Sequence, residues 1–227
     1  LSNSNMQRDW RIYAEYGQIL IDIARKLYAD ESFSEEISEP VYALDSTTIS
    51  LSLSLFPWAD FRDDVGGIKL HTLMELPSSI PTFLQITEAR PHDVNVLDSL
   101  ILEPGAYYVM DRGYMDFARL YRIAKSGAFF VTRLKRNVKL RRRYSHAKDP
   151  SLGILSDQTV VAAEEKSYNH YPAPLRRVRF RDEEQGRSFA FLTNNFDLTA
   201  RTIADLFKSR WQIELFFKWI KQHLQIK

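Results

Sequence analysis

Twice in this chain a short apolar run stops at an aspartate and gives way to small or turn-forming residues. Val41-Tyr-Ala-Leu-Asp45 precedes Ser46-Thr-Thr48, and Tyr107-Tyr-Val-Met110 with Asp111 precedes Arg112-Gly113. Runs of this length, bounded in this way, read as strands. Ile49–Leu55 alternates apolar residues with serine, Ile68–Leu76 and Thr82–Ala89 are strand candidates set apart by Pro77 and Pro81, and Pro91-His-Asp93 caps a helix expected over Val94–Leu102. Phe117–Lys125 reads as a helix and Ala128–Leu134 as a strand. Three strands, helix, strand, helix, strand between residues 41 and 134 is the order of an α/β chain. If the two aspartate-ending strands are neighbours, their carboxylates converge at one edge of a sheet, where α/β folds commonly build their sites.

The flanks differ from this segment. Trp10–Ala29 places Ile12, Tyr16, Ile19, Ile23 and Leu27 three or four residues apart, which predicts an amphipathic packing helix, and an acidic, serine-rich linker follows over Asp30–Pro40. Residues 150–195 carry short Val/Phe/Leu runs and a hairpin signal at Asp182–Gly186, joining Arg177–Arg181 to Ser188–Leu192, so a mainly β insertion is expected. Asp197-Leu-Thr199 then offers a helix cap, and Leu206, Ile213, Phe217, Ile220 and Leu224 form the buried stripe of a helix running to the end of the chain. With 44% hydrophobic and 26% charged residues the chain is expected to fold. The absence of cysteine excludes a disulfide framework, thiolate metal sites and a cysteine nucleophile. Neither a signal peptide nor a spanning segment is visible, so a cytoplasmic protein with no membrane role is expected. The start at Leu1 and the stop at Lys227 inside a helical pattern read as those of a fragment.

A net charge of +2 conceals a strong asymmetry. Residues 112–148 hold 12 basic residues and one acidic residue, whereas residues 1–64 hold 5 and 12. Arg133, Lys135, Arg136, Lys139, Arg141, Arg142 and Arg143 follow the apolar run Ala128–Thr132, as for a strand that emerges into a positively charged loop. Such a cluster suits phosphate backbones, although a solvated loop or a contact with an acidic protein explains the charge equally well.

Two close carboxylates repel one another unless a cation neutralises them, and hard oxygen ligands suit Mg²⁺ or Mn²⁺. An aspartate at a strand end is more often a turn or cap residue. A third carboxylate, Glu214, shares a helical stripe with Phe207, Arg210 and Lys221. A third acidic group would complete a two-metal site, and the cations beside it could hold phosphates. By spacing alone, an ordinary Arg–Glu pair at i,i+4 accounts for the same residues.

Leu44-Asp45-Ser-Thr47, Met110-Asp111-Arg-Gly-Tyr114 and Arg210-Trp-Gln-Ile-Glu214-Leu-Phe-Phe-Lys218-Trp-Ile-Lys221 together resemble the catalytic motifs of DDE transposases of the bacterial insertion-sequence-four group. That group carries Tyr-x2-Arg-x3-Glu-x6-Lys around its third acidic residue, and Phe207, Arg210, Glu214 and Lys221 match it with Phe in place of Tyr. The resemblance implies a ribonuclease-H-like mixed sheet flanked by helices, with a mainly β insertion before the last catalytic helix. Asp45 would lie on the first strand, Asp111 after the fourth and Glu214 on a later helix. The corresponding division is 1–40 for an N-terminal helical segment and linker, 41–134 for the first part of the catalytic domain, 135–196 for the insertion and 197–227 for the catalytic helix.

The resemblance further implies that Asp45, Asp111 and Glu214 are catalytic and hold two Mg²⁺ ions, with Mn²⁺ able to substitute. Phosphodiester cleavage and strand transfer at insertion-sequence ends would follow. Phe207, Arg210, Lys221 and Arg112 would contact DNA near the cut, and Arg133, Lys135, Arg136, Arg141, Arg142 and Arg143 would guide flank or target duplex. A homodimer on DNA is expected, nucleoid-associated when bound. Related transposases use an insertion-domain aromatic to hold a flipped base. No Trp lies between Trp58 and Trp211, so Tyr168, Tyr171 or Phe189 would have to serve. A catalytically silent DNA-binding remnant and a metal-dependent nuclease of the same fold remain open beside the transposase reading, and a metal-independent carboxylate hydrolase is the rival from another chemistry. His71 and His92 are read as structural hydrogen-bonders outside the site.

Overall fold

The computed structural model describes residues 8–28, 31–51, 60–62, 65–184 and 186–223. The strands among them are β1 (Val41–Leu51), β2 (Asp60–Arg62), β3 (Val65–Glu75), β4 (Ile80–Glu88), β5 (Tyr107–Met110), β6 (Phe129–Arg133), β7 (Leu140–Ser145), β8 (Ile154–Ala162), β9 (Leu175–Asp182) and β10 (Arg187–Thr193). The helices are α1 (Trp10–Leu27), α2 (Phe117–Lys125), α3 (Glu165–His170), α4 (Ala200–Ser209) and α5 (Trp211–His223).

β1 pairs antiparallel with β3 along its whole length, and β3 pairs antiparallel with β4 on its other side. β5 lies parallel to β1, and β6 parallel to β5. The order β4-β3-β1-β5-β6, with an antiparallel first half and a parallel second half, makes this a ribonuclease-H-like mixed sheet flanked by helices. β10 continues the same sheet antiparallel to β6, followed by β9, β8 and β7. The β-rich stretch is thus joined edge to edge with the first five strands.

Alternation along the strands fills both faces of the sheet. Tyr42, Leu44, Tyr108, Met110 and Phe130 face Leu97, Leu120, Ile123 and Tyr171. Val41, Ala43, Val109, Val131 and Phe191 face Ile203, Leu206, Ile213 and Phe217 of α4 and α5. α1 lies beside β4, outside both of these clusters. It was expected to pack, yet none of its residues is buried, and Ile12, Tyr16, Ile19, Ile23 and Leu27 are all exposed. One tether is Arg25, whose Nη2 donates to Tyr42 Oη at 3.0 Å. Ala29, at the end of the expected helix, and Asp30 lie outside the described residues.

Four local expectations are corrected. Val41–Asp45 and the start of Ile49–Leu55 belong to one strand, because the β3 ladder carries the backbone straight through Ser46–Thr48; residues 52–55 lie outside the described residues. The helix expected over Val94–Leu102 is a seven-residue 3₁₀ segment, Asp93–Ser99, which lacks a side-chain cap bond and is extended again at Leu100. The basic segment leaves β6 as a loop through Lys135, Arg136 and Lys139, but its second part, with Arg141, Arg142 and Arg143, is the edge strand β7, and exposed arginines are a common protection for such an edge. The last helix is two helices meeting at Arg210. Ser209 Oγ donates to Leu206 O at 2.7 Å and Arg210 N to Phe207 O at 3.3 Å, so a hydroxyl competes for the backbone and the turn tightens. Leu224 lies outside the described residues. No helix among the described residues is long and apolar enough to cross a membrane.

Candidate active site

The β1–β5 register brings the first two carboxylates together. Their parallel pairing runs from Val41↔Tyr107 to Leu44↔Met110, so the next residues, Asp45 and Asp111, leave the paired region side by side. Since Val41 and Ala43 face α4 and α5, alternation sends Asp45 to the same side. There Glu214 occupies the first turn of α5, where the helix dipole favours a negative charge.

Arg210, at the break between α4 and α5, joins two of these groups. Its Nη1 donates to Asp45 Oδ2 at 2.5 Å and its Nη2 to Glu214 Oε1 at 2.5 Å. The Ser46 backbone N–H donates to Asp45 Oδ1 at 2.8 Å. The Asp45 side chain is 20% exposed and that of Arg210 13%, so this pair is largely shielded from water, while Glu214 is 34% exposed. Burial raises the Asp45 pKa from 3.8 to about 6, with Glu214 and Asp111 adding to the rise, while Arg210 and the Ser46 N–H oppose it. Tyr114 is buried behind the site. Burial, then the Asp45 carboxylate, pushes its hydroxyl pKa upward.

Glu214 stands between two openings. A cavity of about 280 Å³ is lined by Asp111, Arg133, Arg187, Phe207, Lys208 and Glu214, among others. A second, of about 480 Å³, is lined by Asp45, Glu214, Lys218 and Lys221 with their neighbours. Three carboxylates against one guanidinium leave the centre short of positive charge, and their oxygens are the donor type that magnesium-like ions prefer. This donor set fits a divalent cation. In the present arrangement no three Asp, Glu or His side chains among the described residues could share one ion, and Arg210 occupies the contact between Asp45 and Glu214. A cation held between Asp45 and Glu214 would have to displace Arg210 from that contact.

The other expected residues are distributed unevenly. Arg133 lines the Asp111 cavity and lies 5.0 Å from the Phe189 ring centroid. Phe207 lines the same cavity but packs on Phe191 at 4.7 Å between centroids, with the Arg210 guanidinium 5.7 Å from its own ring. Its place is therefore as much in the core as at the cleft. Lys221 lines the Asp45 opening, and Arg112 is exposed beside Asp111. Lys135 is half-buried and donates to Met115 O at 3.1 Å. Arg136 is exposed on the β6–β7 connection, and Arg141, Arg142 and Arg143 are exposed on the edge strand β7, at the far end of the sheet from β1. Tyr171 is fully buried against Phe117, Tyr121 and Phe130 and so is unsuited to hold a base, whereas Phe189 reaches the Asp111 cavity. Tyr168 is exposed on α3. His71 Nε2 bonds Thr87 Oγ1 at 3.0 Å, a structural role.

The sequence reading missed Arg187 and Lys208, and it quoted Tyr114 and Lys218 within the motifs without giving them a role. Alternation along β10 could have found Arg187, which stands two residues before Phe189 on the same face.

The family model of the transposase DDE domain matches residues 36–227. A Sinorhizobium fredii protein named as transposase y4zB is 36% identical over 100% of this chain and 63% of its own length. A Geobacillus stearothermophilus transposase of insertion sequence element IS5377 is 32% identical over 83% of this chain and 49% of its own. A Synechocystis transposase of element IS4SA is 24% identical over 99% of this chain and 62% of its own. The chain thus spans roughly half to just under two thirds of the length of these relatives. The piggyBac transposase, solved as a synaptic complex with hairpin DNA, aligns at a TM-score of 0.48 and 8% identity over 80% of this chain and 40% of that one. With the match running from before β1 through the helix that carries Glu214, this chain belongs to the transposase DDE domain family.

Proposed function

We propose that this chain is the catalytic part of an insertion-sequence transposase, cutting DNA at the element's ends and joining it to a target. The observation that carries the reading is the convergence of Asp45, Asp111 and Glu214 beside openings lined by Arg133, Arg187, Lys208, Lys218 and Lys221. Asp45, Asp111 and Glu214 would hold two Mg²⁺ ions, replaceable by Mn²⁺, whose chemistry when bound is activation of water or a DNA 3′-hydroxyl and neutralisation of charge at the phosphodiester. Arg210 releases the carboxylates and turns to a phosphate near the cut, a geometry that suits its planar fork. Lys218 and Lys221 hold phosphates on the Asp45 side, and Arg133, Arg187 and Lys208 do so on the Asp111 side. The Phe189 ring, at the cleft wall, offers a stacking surface for an unpaired base. Two chains act on paired DNA ends in the cytoplasm.

The test is cleavage and strand transfer of a labelled duplex bearing the element's ends, in Mg²⁺, Mn²⁺ or EDTA, with Glu214→Gln as comparison. Metal-dependent nicking and joining that disappears in the variant is the expected result. Nicking without joining would make the chain a nuclease of the same fold. Metal-independent binding with no cut would make it a recognition module.

A further inference from the structure

The basic residues of β7 and β9 form a feature separate from the acidic site. On β9, Val178, Phe180 and Asp182 are buried towards α4, while Arg177 is half-buried and Arg179 and Arg181 are exposed. Strand alternation therefore places Arg177, Arg179 and Arg181 in one row on the opposite face, about 6.8 Å apart. The register carries this face outward. Arg177 is opposite Gln158 and Arg179 opposite Ser156 on β8, while Arg142 of β7 is opposite Val160, two residues from Gln158 on the same face. On the inner side Arg179 meets Ala190 and Arg181 meets Ser188 of β10. The arginines thus stand over small or neutral neighbours.

No described carboxylate pairs with Arg142, Arg177, Arg179 or Arg181. Arg177 is aimed by Gln158, whose Oε1 accepts from its Nε at 3.1 Å. Burial, then the like charges of Arg179 and Arg142, disfavours the charge on Arg177. A row of arginines that includes the half-buried Arg177, with no described carboxylate paired to it, is relieved by a polyanion with regularly spaced charges.

We propose that Arg142, Arg177, Arg179 and Arg181 form a second phosphate-binding track, on the sheet face opposite Asp45, Asp111 and Glu214, which grips the backbone of duplex DNA independently of sequence. Because the acidic cluster faces α4 and α5, the phosphates held here belong to a stretch of duplex outside the few nucleotides around the cut. The track deepens the transposase reading and rests on it for the identity of the polyanion. Arg142 serves this track, while Arg133, from the same basic segment, serves the cleft.

The experiment is equilibrium binding of a labelled duplex of arbitrary sequence at several salt concentrations, without divalent metal. Arg179→Gln with Arg181→Gln, both exposed, should lower the slope of log affinity against log salt by about 1.8, and adding Arg142→Gln by about 0.9 more. Lys26→Gln with Lys125→Gln, the same charge change elsewhere, should leave the slope unchanged. A slope equal to wild type in the arginine variants overturns the track. So does a loss of affinity that appears equally with polyglutamate as ligand, which would mark a surface for acidic proteins. Glu214→Gln keeps the wild-type slope while losing cleavage, so failure of the track and failure of the catalytic reading give different results.

Discussion

Replacing Asp45 by Asn should change stability in a pH-dependent way whose size follows from the site. Asp45 titrates near pH 6 in the folded chain, against 3.8 without its surroundings. A carboxyl with a raised folded pKa holds its proton more tightly when folded, so wild type is penalised above pH 6 and released from the penalty as pH falls through 6 towards 3.8. The full penalty is about 3 kcal/mol, from about two pKa units at 1.36 kcal/mol each. At pH 4.5 linkage leaves about 1 kcal/mol of it. Asparagine has no such titration; the Arg210 ion pair is already contained in the Asp45 pKa, so exchanging a neutral carboxyl for an amide adds only an offset that does not vary with pH. The stability of Asp45→Asn relative to wild type should therefore rise by about 2 kcal/mol between pH 4.5 and pH 8, read from urea unfolding in EDTA. Excess Mg²⁺ at pH 8 should reverse the difference, because an ion bound to the folded wild type stabilises it and the variant binds less. A difference that stays flat with pH in EDTA, or that falls, would refute the burial and repulsion assigned to Asp45.

Other perturbations test the frame around the site. Asp157 accepts two bonds from Arg176, at 2.9 and 2.7 Å, with both side chains under 10% exposed. Asp157→Leu, which strands the guanidinium, should cost about 3–5 kcal/mol by chemical denaturation, and adding Arg176→Met should recover most of it. Gly153 sits at φ +78° with an added Cβ 2.8 Å from Arg181 O and 2.9 Å from Phe180 Cε2, so Gly153→Ala should lower stability by about 1–3 kcal/mol, visible as a reduced Tm. Phe207→Ala should cost about 3 kcal/mol because the ring packs on Phe191. Phe207→Tyr should unfold within about 0.5 kcal/mol of wild type if its hydroxyl enters the adjoining cavity, and a large loss would show that the ring edge is enclosed.

The sheet was legible where local pattern and long-range pairing agree. Tyr107–Met110 and Phe117–Lys125 are found where their apolar runs and caps put them. The helix expected over Val94–Leu102 shrank because a short stretch with β-branched Val94 and Val96 gains little from further helix, and the chain instead turns extended to bury Leu100. α1 has the period of a packing helix, yet whether an apolar stripe is covered depends on the space left by other elements, which periodicity does not report. For the site, the resemblance of its motifs singled out Asp45, Asp111, Arg210 and Glu214, which spacing alone would not have done, and it could not show that Arg210 lies on two of the carboxylates.

The order of apolar runs, the aspartates that follow two of them and the motif around Glu214 are properties of the one-dimensional chain; they determined the fold class and pointed to the acidic trio as candidates. Tertiary structure decided the rest. The β1–β5 register set Asp45 beside Asp111, the break at Arg210 brought its guanidinium between Asp45 and Glu214, and the pairing of β7, β8 and β9 set Arg142 on one face with arginines 35 or more residues further along the chain. Charge neutralisation and desolvation depend on distances between residues remote in the chain, and those distances exist only once the sheet has closed.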